Sequence, residues 1–484
     1  MSSPLTDLEP RIVWGYFDEI RKIPRPSKHE EKIQAWLKEW ASEHGLEADE
    51  DQVGNLVVRV PATQGHEEAE TVVLQGHVDM VPEKNRDVEH DFLVDPIEVV
   101  RDGDWVLAQG TTLGSDNGVG VSLALAAATD PDCVHPPLEL LFTVDEETGL
   151  TGATELDDSL LNGRRLLNLD TEEDGAFYIG CAGGNDLHIT FNIERQSSKL
   201  PEQIQLLVRG LRGGHSGVDI HENRANAVKL LFRLLKAAKE AGIEFEIASV
   251  EGGSKHNAIP REAFADLRAA EGSLEKLKEV AAAQKEEFDG EFGIIDPDLV
   301  IEVNEAEVGD QVFTADLTGR LVSALLAAPH GVLAMSREVA GLVETSNNVA
   351  VIKMEEEVID ITTSTRSSVM PALRATIDQI RAGFELAGAN VEDPGGYPGW
   401  TPDPDSPLLN TGKRVFQETF GREPEVKAIH AGLECGIIGE KFPGMDMLSF
   451  GPEISSPHAP GEKVQISSVE KTWKLLKAFL LELA

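Results

Sequence analysis

Basic residues are scarce in this sequence: its 484 positions hold 43 Lys and Arg against 85 Asp and Glu, a formal net charge of −42. Such an excess repels phosphate backbones and anionic lipid headgroups, which argues against nucleic-acid and membrane-surface partners. Cysteine is scarce too. Cys133, Cys181 and Cys435 lie far apart and match neither a disulfide framework nor a zinc ribbon, so a reducing, cytoplasmic setting is expected. No apolar run approaches the ~20 residues of a membrane span. The opening MSSPLTDLEPRIVWGYFDEI has no basic stretch followed by an apolar one, so no secretory leader is expected. Neither a Gly-x-Ser-x-Gly elbow nor a cysteine in a recognised catalytic context occurs, which counts against a nucleophilic triad. What is present excludes disorder: 41% hydrophobic residues, with 17 Phe and 6 Trp. The length exceeds one ordinary core and predicts two or three domains. The acidity serves solubility, with adaptation to high salt as the alternative.

The first third alternates helix and strand. Ser27 with Glu30 reads as a capping box, Ile33, Trp36, Leu37 and Trp40 recur at helical spacing, and Gly45 marks a stop. Apolar runs at 55–60, 71–75, 138–143 and 166–169 have the length of buried strands, and 118–128 is an Ala-rich buried helix. This predicts an α/β domain with a parallel or mixed sheet. From about Asp186 the strands alternate more clearly and predict a separate α+β domain. Within it, 213–228 faintly echoes 328–343, a hint of internal duplication. The Pro/Gly-rich stretch 392–407 reads as a linker, after which the style of the first third resumes.

Acids and histidines stand at the ends of apolar strands, where loops carry function. His77 and Asp79 are two apart and share a side of an extended segment; a capping or turn role is the plain alternative. Asp116 lies in a Gly-rich loop before an apolar helix, where it can also act as a cap. Asp145, Glu146 and Glu147 follow the strand 138–143, and neighbours in extended backbone point apart, so Glu146 and Glu147 are expected to differ in role. One can bind a metal while the other addresses water or substrate. Asp170 closes another strand, and His458 sits in a Pro-flanked loop. Imidazole with spare carboxylates is ligand chemistry for zinc, cobalt or manganese, including paired ions.

The segments GHVDMVP, TTLGSDNGVG, FTVDEETGLTGA, LNLDTEEDG, GGHSGVDI, KHNAIP, HAGLECGI and SSPHAPGE resemble the dinuclear zinc peptidase clan that includes aminoacylases and glutamate carboxypeptidases. Within it the match is to the aminoacyl-histidine dipeptidases, or cytosol non-specific dipeptidases. The resemblance implies two Zn2+ (Co2+ or Mn2+ able to substitute) bridged by Asp116. His77 and Asp170 would complete one site, Glu147 and His458 the other. It further implies that Asp79 orients His77, that Glu146 is general base and then acid, and that a lid histidine, His215, stabilises the oxyanion. Asn257 and Arg366 match substrate-holding lid positions. His430, Glu434 and Cys435 lie in a matching motif but receive no role.

The expected fold is thus a zinc-exopeptidase-like α/β catalytic domain with a mixed central sheet, formed by 1–184 and 399–484. An α+β lid, internally duplicated in outline, is inserted at 185–398. Hydrolysis of dipeptides such as Xaa-His is the expected activity. An N-acyl amino-acid amidohydrolase and a catalytically silent metal-binding scaffold are the alternatives. A homodimer through the lid is compatible with the resemblance, with His215 expected to serve its own chain.

Overall fold

The computed structural model describes residues 3–484. They form two compact units. One runs to Gly180 and resumes over Trp400–Ala428 and Leu433–Ala484; the other comprises Cys181–Gly399 and a short return, Ile429–Gly432. No such return was expected from the sequence, and it carries His430.

The first unit is built on an eight-stranded sheet among the described residues. Its strands are β1 (Glu47–Glu50), β2 (Leu56–Val60), β3 (Val72–His77), β4 (Leu138–Thr143), β5 (Arg165–Asn168), β6 (Ala176–Cys181), β7 (Glu425–Ile429) and β8 (Asp446–Ser449). They lie in the order β1-β2-β4-β3-β5-β8-β6-β7. The four apolar runs read from the sequence are β2, β3, β4 and β5. Every residue of β3 and β4 is buried, as in strands covered on both faces. β4, β3, β5 and β8 run parallel, while β1–β2, β2–β4 and β8–β6 are antiparallel. Parallel strands end on the same side, so the residues after β3, β4 and β5 emerge together. That is what gathers the site.

Helix α1 (Arg11–Ile20) buries Val13, Trp14, Phe17 and Ile20 at helical spacing and packs on α3 (Ser115–Thr129). Residues 115–127 of α3 are buried all round, as an apolar central helix should be. The capping box at α2 (Glu31–Glu43) does not form. Glu30 is the N-cap with no side-chain cap bond. Ser27 Oγ instead donates to Asp79 Oδ2 at 2.8 Å, and Glu30 Oε1 accepts the amides of Lys28 and Asp145. Both side chains are recruited by the site rather than by the helix.

The second unit carries an antiparallel sheet with the spatial order 300–305, 202–209, 263–269, 245–252, 343–355, 358–367, 183–192, 390–392. Read outward from its centre, it is two β-α-β-β-α-β halves. One half is 202–209, helix 227–240, strands 245–252 and 263–269, helix 273–292 and strand 300–305. The other starts at 183–192 and, after the first half, continues with helix 315–327, strands 343–355 and 358–367, helix 370–386 and strand 390–392. The duplication therefore lies in the architecture and not in the sequence echo. Segment 213–228 leads into a helix, whereas 328–343 follows one and contains the strand Gly331–Met335. The stretch read as a linker is also structured: Gly396–Tyr397 pairs with Gly184 and Asn185. No helix among the described residues is long and apolar enough to cross a membrane.

Candidate active site

His77, the last residue of β3, is buried between three carboxylates. Its Nδ1 lies 3.2 Å from Asp79 Oδ1, and its Nε2 lies 3.0 Å from Asp116 Oδ1 and 3.4 Å from Asp170 Oδ1. On the other side of Asp116, His458 Nε2 is 3.0 Å from Asp116 Oδ2 and 2.9 Å from Glu147 Oε2. Two triads result, His77–Asp116–Asp170 and Asp116–Glu147–His458, each with its ligand atoms mutually within 4.8 Å. Asp116 belongs to both. Glu146 stands with His77 and Glu147 in a third such group.

The chain departs from the extended geometry expected after β4. Asp145 adopts a left-handed conformation, φ 49°, and Glu146–Gly149 is a single helical turn. Asp145 is held there by the hydroxyls of Thr148 and Thr151. Glu146 and Glu147 are separated by helical rotation and not by strand alternation. Their amides are fixed by one acceptor: Glu146 N donates to Asp79 Oδ1 at 3.1 Å and Glu147 N to Asp79 Oδ2 at 3.2 Å. Asp79 thus orients His77 and the turn bearing both glutamates.

Electrostatics follow from the crowding. Burial would raise the Asp116 carboxyl, but hydrogen bonds from His458 and His77 hold it well below the usual carboxylate range. His458 is raised to about 11 by its bonds to Asp116 and Glu147. Burial would lower His77, yet Asp170, Asp116 and Asp79 raise it well above its ordinary value. Glu146 is raised well above its ordinary value by burial and then by Asp170, Glu147 and Glu434, His77 opposing. Asp170 is pushed up to about 6 by burial, against the opposing pull of His77, whose Nε2 lies 3.4 Å from its Oδ1. Glu172, beside Asp116, is pushed up to about 9 by burial and by Asp116 and Asp170. Two imidazoles cannot balance this many carboxylates. A surplus of buried acid and imidazole nitrogens aimed at shared points are a donor set for divalent cations.

The second unit gathers the remaining predicted residues. His215 Nδ1 accepts the amides of Gly217 and Val218, both at 3.1 Å. An acceptor Nδ1 places the ring proton on Nε2, and burial, followed by Arg366, lowers the imidazole pKa. His215 is therefore a neutral Nε2–H donor. Asn257 lies on the loop paired to this turn, its carbonyl accepting Ser216 N at 2.8 Å. Arg366 is buried on strand Val358–Ser367, and its Nη1 donates to the Tyr397 hydroxyl at 2.9 Å. The Tyr397 ring lies in a slot whose walls are glycine: a Cβ at Gly184 would stand 2.7 Å from it and one at Gly432 2.8 Å. His430 Nε2 meets Ser346 Oγ at 2.7 Å, and burial pushes this imidazole down to about 3.

Several participants escape the sequence. Glu462, which accepts the Ser115 and Asp116 amides, has only its place four residues after His458 as a signal, Tyr397 is hidden among prolines and glycines, and nothing local singles out Glu172 or Arg25, which donates to Gly114 O.

Imidazoles and surplus carboxylates gathered at the ends of parallel strands are the construction of a metal-dependent hydrolase. The chain belongs to peptidase family M20/M25/M40, whose model matches residues 73–482, and the family recognised from the motifs stands. It is 40% identical over 482 residues to the cytosol non-specific dipeptidase of Escherichia coli (strain K12), covering 99% of each chain. Its structure is similar to that of aminoacylhistidine dipeptidase from Vibrio alginolyticus, at 43% identity and a TM-score of 0.91, over 99% of this chain and 98% of that one. An aminopeptidase from Bacillus cereus shares the fold at 16% identity and a TM-score of 0.57, over 98% and 99%.

Proposed function

We propose that this peptidase hydrolyses dipeptides in the cytoplasm, using two zinc ions held by His77, Asp116 and Asp170 and by Asp116, Glu147 and His458. The observation that carries this reading is the pair of triads sharing Asp116. When bound, divalent ions would supply Lewis acidity to a water and to the peptide carbonyl. The protein's own groups do the rest. Glu146, outside both triads, takes the proton of the attacking water on a carboxylate oxygen and returns it to the leaving nitrogen. Burial raises its pKa, the direction that suits a carboxyl group that must hold a proton before returning it. Asp79 keeps the His77 proton on Nδ1, leaving Nε2 as the ligand atom. His215, neutral with its proton on Nε2, has the donor a developing oxyanion needs. Arg366 is assigned to the substrate's C-terminal carboxylate through its planar fork, and Asn257 to a second substrate contact.

Metal analysis of the purified protein, with a panel of Xaa-His dipeptides including carnosine, tripeptides and N-acyl amino acids, tests the reading. Two equivalents of metal and preference for dipeptides with a free amino terminus are expected. Preference for N-acyl amino acids would make it an amidohydrolase, and bound metal without turnover of any substrate would make it a scaffold.

A further inference from the structure

Glu462 is 2% exposed and stands four residues beyond His458. Its Oε2 accepts the amides of Leu113 and Gly114 at 2.7 and 3.0 Å. Its Oε1 accepts Ser115 N at 2.7 Å, Ser115 Oγ at 2.6 Å and Asp116 N at 3.3 Å. Four consecutive amides and a hydroxyl thus converge on one carboxylate. Gly114 has no side chain to hold these amides, and Asp116 and Asn117 break the helical geometry just after it, so the segment leading into the helix is held from a loop distant in sequence. The same segment is gripped from the other side. Arg25, fully buried, donates through Nη2 to Gly114 O and through Nη1 to Val78 O at 2.8 Å and Asp79 O at 2.6 Å. Gly114 has φ 68°, and a Cβ there would lie 2.7 Å from Arg25 Nη2; only glycine lets the guanidinium this close.

From this geometry we infer that Glu462 is a positioning residue: with Arg25 it clamps the 113–116 segment, fixing the Asp116 carboxylate relative to His458 and His77. The three segments tied together, 77–79, 113–116 and 458–462, carry the residue shared by both triads and one imidazole of each. A carboxylate buried beside an already acidic cluster adds repulsion. It is accommodated because five donors and Arg25 neutralise it while its two oxygens dictate where four amides point. The inference rests on the reading of Asp116 as the shared ligand.

The test uses the full-length protein, with zinc alone as the probe, competed against a chelator, and with cobalt as a spectroscopic substitute. Glu462→Gln keeps the shape but turns an NH2 toward backbone N–H groups; Ser115→Ala removes one donor. Zinc should bind Glu462→Gln about 10- to 100-fold more weakly at both sites, the usual effect of losing a group that holds a ligand in place. Ser115→Ala should show a smaller shift in the same direction. The visible bands of the cobalt-loaded Glu462→Gln protein should move relative to wild type. A role in fold stability alone would lower the melting temperature of the metal-free variants while leaving zinc affinity and the cobalt spectrum as in wild type, and that result overturns the inference. Should Glu462→Gln fail to fold, the Ser115→Ala affinity and spectrum decide by the same criteria. If the wild-type protein takes up fewer than two ions, the reading of Asp116 fails and the clamp falls with it. Two ions bound by wild type with unchanged affinity in both variants removes the clamp alone.

Discussion

Asp79→Asn is the sharpest single perturbation of the site, because one side chain with no exposed surface serves four donors. Asp79 Oδ1 faces His77 Nδ1 and Glu146 N; Oδ2 faces Ser27 Oγ and Glu147 N. Asparagine offers one oxygen and one NH2. If the oxygen stays on the His77 side, the imidazole keeps its Nδ1 proton, the Ser27 hydroxyl rotates to accept, and the Glu147 amide is left without a partner. The opposite orientation strands the Glu146 amide and forces the wrong His77 tautomer. The first orientation should win, at the cost of one buried unsatisfied amide, about 1–3 kcal/mol. Zinc affinity should fall about 10- to 100-fold, equivalent to about 1.4–2.7 kcal/mol. The stability loss has a pH signature. Burial would raise the Asp79 carboxyl, but His77 and the other donors lower it. A depressed folded-state pKa gives stability that is present above the unfolded value and lost as pH falls through the folded one. The gap between wild type and Asp79→Asn, measured by urea unfolding, should therefore be widest near neutrality and narrow in acid. Unchanged chelator-competition affinity together with wild-type turnover would refute the reasoning.

Glu146→Gln should retain both metal ions and lose at least about two orders of magnitude in kcat, the lower range for a general base; Glu147→Gln should lose the ion it shares with His458, as read by metal analysis. Metal uptake should release protons, since His458, raised to about 11, and His77, also raised, must both deprotonate to ligate; affinity should weaken as pH falls, and calorimetry in buffers of different ionisation enthalpy reads the protons released. For the metal-free protein the His458 contribution to stability is complete below the unfolded value near 6.5 and is lost as pH rises toward about 11. Tyr397→Phe removes the hydroxyl beside Arg366 Nη1 and should raise KM for dipeptides a few-fold, about 1 kcal/mol for one hydrogen bond, with kcat largely kept.

Strands β2 to β5 and helix α3 were legible because an apolar run of strand or helix length has few alternatives once it must be buried. The ligand candidates were legible for a related reason: an acid or imidazole directly after such a run, as at His77, Asp145–Glu147 and Asp170, has no core role to play. Local backbone choice was less readable. Ser27 and Glu30 satisfy the capping-box pattern, yet Asp79 and the amides of Lys28 and Asp145 compete for the same groups and win. The turn at Asp145 is set by Thr148 and Thr151 and not by the strand before it. Glu462, Arg25 and Tyr397 act on residues distant in sequence, so no local pattern announces them. The duplicated architecture of the second unit hid for a similar reason: one half interrupts the other after its first strand.

Beneath the ligand candidates His77 and Asp170 lies a buried polar chain that links the strands carrying them. Gln75, two residues before His77, donates to Glu434 Oε2 at 2.6 Å and to Thr143 Oγ1 at 3.2 Å; Thr143 also donates to Glu434 Oε2 at 2.7 Å. Asn168, two residues before Asp170, bonds Gln75 Oε1 and accepts from Ser449. Each parallel strand from β4 to β8 contributes one member, so the chain fixes the heights at which their ends emerge. Glu434 is its one ionisable member. It is fully buried, its Oε1 accepts no hydrogen bond, and burial pushes its carboxyl up to about 7. An acid whose folded pKa exceeds its unfolded value of ~4.5 costs stability as pH rises between the two, and the full cost applies above the folded value. For this shift the cost is on the order of 3 kcal/mol. Glu434→Gln can place its oxygen where Gln75 and Thr143 donate and its NH2 where Oε1 has no donor, so both accepted bonds survive. The metal-free variant should then be more stable than wild type at pH 8 and equal to it near pH 4. Urea midpoints at the two pH values decide the matter: a variant less stable at both would mean that the Glu434 charge holds the chain together.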